Sequence, residues 1–169
     1  MTINENYELF LSIIETNKGI IYKVANSFCR DIEDRKDLFQ EIILKLWKSF
    51  DTYNEQFKHS TWIYRISLNV AISFYRKEKS RGKLNAPFSE NIFNISDFQD
   101  SKHPEQNAIL LTQFISELKE LERALMLLYL EERSHKEIAE IIGITETNVA
   151  TKIGRIKAIL KQKFSQIII

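Results

Sequence analysis

The segment from Ser134 to Lys157 reads SHKEIAEIIGITETNVATKIGRIK, and its later half carries Glu146, Thr147, Asn148, Lys152, Arg155 and Lys157. Amide and hydroxyl side chains bond base edges, while Lys and Arg meet phosphates, so this mixture on one helix suits the major groove of a duplex. A second constellation lies between Lys58 and Lys79. There Arg65, Asn69, Ser73 and Arg76 fall, at about 100° per residue, within one narrow helical stripe that has Trp62 at its edge. Cations, an amide and an aromatic in that arrangement suit single-stranded nucleic acid, in which bases stack on rings and phosphates meet positive charge. Lys58, His59 and Lys77 widen the basic field around it. A third set, Asp37, Gln40, Glu41 and Lys45, is the polar face left outside by an apolar stripe, and such a face can dock a protein.

Each set needs a helix to hold it, and the sequence supplies the signals. Ser134 followed by Glu137 forms a capping box, Gly143 supplies the positive φ that ends a short helix, and Thr145 caps the next one. Ala139 leaves room where the two helices cross, with Ile144 and Val149 filling the angle between them. This order predicts a helix-turn-helix; an ordinary helical hairpin is the plainer alternative. Further back, Leu38, Ile42, Leu46 and Phe50 recur every four residues with Ile43 and Trp47 alongside, and Trp62, Ile66, Val70 and Phe74 repeat the rhythm. Phe114, Leu118, Leu121, Leu125 and Leu128 do the same near the other end. Both prolines, Pro87 and Pro104, lie with Gly82 and several Asn and Ser residues between these regions, which marks a flexible linker. The expected architecture is all-α: a helical domain over 1–81, a linker over 82–107 and a second helical domain over 108–169.

Composition narrows the function classes. Only 4 Gly and 2 Pro occur among 169 residues, too few for a turn-rich β architecture. The formal net charge is +1, yet the charge is uneven. Seven basic residues face one acid between Lys58 and Lys83, and five face none between Ala150 and Lys163, while Asp31 to Glu41 holds five acids against two bases. Two basic patches, one per domain, point to a polyanion, although each run taken alone also fits a solvated helix face. The single Cys29 and three scattered histidines offer neither an internal disulfide nor a metal cluster. No cofactor is called for, and with no charge-free apolar run of about 18 residues the expected location is the cytoplasm. No Ser/His/Asp or Cys/His arrangement, paired-carboxylate site or glycine-rich phosphate loop is present, so the expectation is a protein that is not an enzyme.

Taken together, Asp37-Leu38-Phe39-Gln40-Glu41, the run Trp62-Ile63-Tyr64-Arg65-Ile66 leading to Asn69 and Arg76, and Glu137-Ile138-Ala139 through Val149 to Arg155 resemble the extracytoplasmic-function sigma factors of bacterial RNA polymerase. The resemblance runs from about Tyr22 to Leu160. It implies a region-two helical bundle and a region-four helix-turn-helix, with core RNA polymerase and promoter DNA as partners and an anti-sigma protein as a frequent regulator. It further implies that the helix bearing Asp37, Gln40, Glu41 and Lys45 docks on the polymerase. Residues Lys58, His59, Trp62, Arg65, Asn69, Arg76 and Lys77 would recognise and melt the minus-ten element, capturing a flipped base of the non-template strand. Glu146, Thr147, Asn148, Lys152, Arg155 and Lys157 would read the minus-thirty-five duplex. Three positions depart from the family pattern: Ser73 stands where Asp is frequent, Lys152 where Arg is usual, and Gly154 lies inside the recognition helix. Without the resemblance, the residues alone also fit a two-domain helix-turn-helix regulator acting on duplex DNA without polymerase, or a helical adaptor that binds protein through Asp37 to Trp47.

Overall fold

A computed structural model of the chain describes residues 2–82 and 104–167. The chain divides into two compact units, residues 1–84 and 85–169. Among the described residues all regular structure is helical: α1 (Ile3–Phe28), α2 (Ile32–Phe50) and α3 (His59–Ser80) in the first unit, then α4 (Pro104–Ser116), α5 (Glu120–Leu130), α6 (His135–Ile142) and α7 (Glu146–Ile167) in the second. Most of the expected linker, residues 83–103, lies outside the described residues. Its last four, expected to be irregular, instead open α4, with Pro104 at the first helical position, where the missing N–H costs nothing.

In the first unit α1 starts on a reciprocal cap. The Glu5 amide donates to Thr2 Oγ1 at 3.3 Å, and the Thr2 amide donates to Glu5 Oε2 at 2.8 Å. Asp31 caps α2 by accepting from the Glu33 and Asp34 amides, and the Arg35 Nε–H reaches back 2.9 Å to the Cys29 carbonyl, fixing the tight turn between α1 and α2. The three helices close on a core of Phe10, Ile21, Leu38, Ile42, Leu46, Ile63 and Leu68. On α2 the expected series Leu38, Ile42, Leu46 and Phe50 is buried, while Ile43 beside it is half-buried and Trp47 exposed. That on α3 is rotated: Tyr64, Leu68 and Ala71 are buried, whereas Ile66, Val70 and Phe74 are only half-buried. With α1 and α2 both packed on it, α3 buries a wider arc than a single spacing series describes.

In the second unit the buried Arg123 donates from its guanidinium to the carbonyls of Ser116 and Leu118, satisfying the end of α4 across the turn. Glu132 takes a positive φ of 56° after α5, and the Arg133 amide closes on the Leu128 carbonyl at 3.1 Å. The expected helix-turn-helix then follows as the sequence signals. Ser134 and Glu137 form the capping box at 3.2 and 3.0 Å, Gly143 is left-handed at φ 83°, and the Asn148 amide donates to Thr145 Oγ1 at 3.2 Å. Ile138, Ile141 and Val149 are buried in the angle; Ala139 and Ile144 are half-buried. Phe164 packs edge-on against Phe114 at 5.1 Å, and Lys163 pairs with Glu117, tying the C-terminal half of α7 to α4.

Candidate nucleic-acid and polymerase interfaces

Asp37, Gln40, Glu41 and Lys45 are all exposed on α2. Their helix buries Leu38, Ile42, Leu46 and Phe50, so the polar stripe is a consequence of the apolar one. Leu44, which sequence reading passed over, is exposed among them.

On α3 the basic stripe faces outward in part. Lys58, His59, Asn69, Ser73, Arg76 and Lys77 are exposed and Arg65 is half-buried. The Arg65 guanidinium sits over the Phe57 ring, 5.3 Å from its centroid, a cation–π contact that holds it beside the loop 51–58. Trp62, which opens the apolar series of α3 and also borders its polar stripe, falls on the core side: it is only 9% exposed. Tyr53 from the preceding loop packs 4.9 Å from the indole and Phe50 6.1 Å from it. The helical angle was right, but the loop folds over the first turn of α3 and takes the ring into the core. In its place the half-buried Phe57 and Tyr53 bring aromatic surface to this edge, and no periodic signal marks them because they sit in a loop.

That loop is pinned by several bonds. The Tyr53 hydroxyl donates to the Phe57 carbonyl at 2.5 Å, the Gln56 amide donates to Asn54 Oδ1 at 3.3 Å, and Glu55 takes a positive φ of 56°. Burial, then the nearby Glu55 carboxylate, raises the Tyr53 phenol above its ordinary value, so it stays protonated and donating at neutral pH.

On α7, Val149, Ile153, Ile156 and Leu160 are buried. At about 100° per residue the opposite side presents Thr147, Asn148, Thr151 and Arg155 as one surface, and all four are exposed. Thr151, absent from the sequence-derived set, donates its hydroxyl to the Thr147 carbonyl at 2.9 Å. Lys152 is half-buried on one flank. Glu146 and Lys157 lie on the other flank, where the Lys157 ammonium donates to the Tyr129 hydroxyl at 3.2 Å and sits 5.1 Å from that ring's centroid. The six expected residues therefore divide into an exposed central face of Thr147, Asn148 and Arg155 and two flanks, one with Lys152 and the other with Glu146 and Lys157.

Among the described residues no group of three or more His, Cys, Asp and Glu is placed to hold a metal ion, and no helix is long and apolar enough to cross a membrane.

Two families match the chain in order: Sigma-70 region 2 over residues 13–81 and Sigma-70, region 4 over residues 108–160. The RNA polymerase sigma factor SigZ of Bacillus subtilis (strain 168) is 30% identical over 131 residues, covering 75% of this chain and 70% of SigZ. The ECF RNA polymerase sigma factor SigM of the same organism is 26% identical over 167 residues, covering 98% of this chain and 97% of SigM. The chain belongs to the extracytoplasmic-function sigma factors. As an RNA polymerase sigma factor it partners core RNA polymerase and promoter DNA and acts in transcription initiation. Sigma factors are non-enzymatic initiation factors. The fold agrees: sigma factor RpoE of Bartonella quintana, solved in complex with the anti-sigma factor NepR, superposes with a TM-score of 0.60 at 16% identity, covering 96% of this chain and 98% of that one. The region-two match runs from within α1 to the end of α3, and the region-four match lies within α4 to α7.

Proposed function

We propose that three exposed surfaces divide the work of this sigma factor. The α2 stripe of Asp37, Gln40, Glu41 and Lys45 docks core RNA polymerase. Lys58, His59, Arg65, Asn69, Arg76 and Lys77 hold the melted minus-ten strand, with Trp62 acting from beneath as the residue that fixes the loop 51–58 against α3. Glu146, Thr147, Asn148, Lys152, Arg155 and Lys157 engage the minus-thirty-five duplex, Thr147, Asn148 and Arg155 at base edges and the lysines at phosphates. The division of the chain is region two over 1–81, a linker over 82–107 and region four over 108–169. The protein places the polymerase active site and performs no chemistry of its own, and it works in the cytoplasm.

The observation that carries this reading is the placement of the α7 polar set. Asn148 and Arg155 are exposed opposite the buried Val149, Ile153 and Ile156, on the second helix of a capped helix-turn-helix, whose recognition helix enters the major groove. An anti-sigma protein is a fitting regulator, since a fold of this kind is held by NepR in the RpoE complex.

The test is to combine the purified chain with core RNA polymerase and a genomic promoter library and to sequence the run-off transcripts. Initiation at a shared promoter sequence is expected. Duplex binding without promoter-specific initiation at any promoter would instead favour a regulator that works without polymerase.

A further inference from the structure

Where this chain holds a cation in place, the holder is repeatedly a carboxylate: Lys18 has Glu15, Lys36 has Glu33, Arg133 has Glu137 and Lys163 has Glu117. Lys157 is held differently. Its ammonium donates to the Tyr129 hydroxyl at 3.2 Å and stands 5.1 Å from the ring centroid, so it sits at the hydroxyl end of the ring. The holder is a neutral phenol, which fixes the ammonium without cancelling its charge.

The contact leaves donors over. An ammonium has three N–H groups, and a tyrosine hydroxyl both accepts and donates. One ammonium proton is spent on the hydroxyl oxygen. Two N–H groups and one O–H remain side by side around a single positive charge, and accepting from a cation polarises that O–H further. Such a set suits an anion with several acceptor oxygens, for which charge-assisted bonds are the strong kind.

The position of the pair selects the anion. Lys157 lies about 80° round α7 from Thr147, on the flank of the exposed face. A major groove about 12 Å wide just admits a helix, so the centre of that helix meets base edges and its flanks meet the phosphates that line the two walls. On the Lys157 flank α5 packs against α7, and Tyr129 is the last residue but one of α5. Tyr129 is half-buried and Lys157 exposed; the ring is braced, and the charge is open to the wall.

We infer that Tyr129 and Lys157 form a two-donor clamp for one backbone phosphate of the minus-thirty-five duplex, with Tyr129 as the positioning residue. This rests on the phosphate role proposed for Lys157 and adds α5 to the duplex footprint. The hydroxyl sets where the ammonium stands before DNA arrives, so less side-chain freedom is lost on binding. Phosphates carry no direct sequence information. The clamp therefore acts on affinity and register, and leaves promoter choice to the face with Thr147, Asn148 and Arg155.

The experiment assembles the full chain with core RNA polymerase and titrates it into labelled promoter duplexes with varied minus-thirty-five sequences, over about 50–200 mM salt. Parent, Tyr129→Phe, Lys157→Ala and the double variant are compared, and each free chain is melted. Lys157→Ala is expected to raise the Kd about fivefold and to reduce the salt slope by about one. Tyr129→Phe, which keeps the ring and every charge, is expected to raise the Kd about threefold or more, alike on all sequences, at the parent's salt slope and melting midpoint. In the double variant the two losses combine to less than their product, because the hydroxyl acts through the ammonium. If Tyr129→Phe binds like the parent while Lys157→Ala weakens binding and flattens the slope, the clamp is wrong and the phosphate role of Lys157 stands. If Lys157→Ala changes neither Kd nor slope, that role itself is wrong. Losses that multiply in the double variant, or a Tyr129→Phe chain whose melting midpoint falls along with its affinity, would also overturn the inference.

Discussion

The Trp62 indole lies 4.9 Å from the Tyr53 ring at an interplanar tilt of 40°, so the loop between α2 and α3 is fastened to the first turn of the helix that carries Arg65 and Asn69. A ring placed this way acts through position. Removing it leaves a cavity beside Phe50 and Tyr53, and large-to-small aromatic changes in cores cost about 3–5 kcal/mol. Trp62→Ala is therefore expected to lower the thermal midpoint sharply and to lose promoter opening as a result. Asn69→Ala, at an exposed position, should leave the midpoint within the spread of surface substitutions, about 0.5 kcal/mol, while lowering the permanganate reactivity of unpaired thymines. A Trp62→Ala protein that melts like the parent and fails only in opening would place the indole back on the DNA.

Two positions on α7 should separate sequence reading from general affinity. Asn148 is exposed on the face of α7 proposed to meet base edges, and Lys161 is exposed beyond it. A base-edge contact discriminates by about 1–3 kcal/mol, whereas a phosphate contact contributes mainly a salt-dependent, sequence-independent amount. Asn148→Ala is expected to change which members of a randomised minus-thirty-five library are used, and Lys161→Ala to weaken all of them alike while reducing the salt dependence of binding. Equal losses across the library for both variants would contradict this division.

The architecture of region four was readable because each boundary has a local chemical cause: Ser134 with Glu137, Gly143 and Thr145 are neighbours in sequence and act within a turn. The α2 stripe was readable for the same reason, since one clean apolar series fixes its outer face. What could not be read depended on contacts between distant segments. Trp62 belongs to the apolar series and also borders the polar stripe, and a loop that no period describes decides between the two. The core face of α3 is set by two neighbours at once, which turns Ile66 and Val70 into half-buried flanks. Lys157 looks like one more groove-facing cation until Tyr129, on another helix, gives it a partner. Leu44 has the type of a core residue and the angle of an exposed one, and only the packed bundle shows which prevails.

Cys29 offers a probe of region two. It is buried at the C-terminal end of α1, and desolvation, followed by the charge of Asp34, pushes its thiol up from 9.0 to about 12. A thiolate attacks and a thiol does not, so the native protein at pH 8 is expected to resist thiol reagents and to react at once on unfolding. The linkage follows in sign. The folded thiol holds its proton more tightly than the unfolded one, so its stabilising share is complete below pH 9 and is lost as pH rises from 9 toward 12. Cys29→Ala should remove that part of the alkaline decline. Rapid labelling of the folded chain at pH 8 would show instead that the α1–α2 turn opens readily.

Gly143 and Gly154 pose opposite tests, although a Cβ at either would meet nothing within 4 Å. Gly143 has φ 83°, where an L side chain is strained by about 1–2 kcal/mol. Gly143→Ala should therefore destabilise region four and shift the angle between α6 and α7. Gly154 lies inside α7 and is exposed, and a glycine in a helix interior costs about 0.8–1.0 kcal/mol relative to alanine. Gly154→Ala should stabilise the free protein by roughly that amount. At about 100° per residue, however, position 154 shares the outward side of the helix with Thr147, Thr151 and Arg155, where an added methyl occupies space that DNA would approach. The expected outcome is a protein that melts later and binds the minus-thirty-five duplex less tightly, measured by calorimetry and by titration with labelled duplex at fixed salt. A Gly154→Ala protein that gains stability and keeps its full duplex affinity would show that the reading face lies nearer Asn148 than Gly154, and that α7 meets the groove through its first two turns alone.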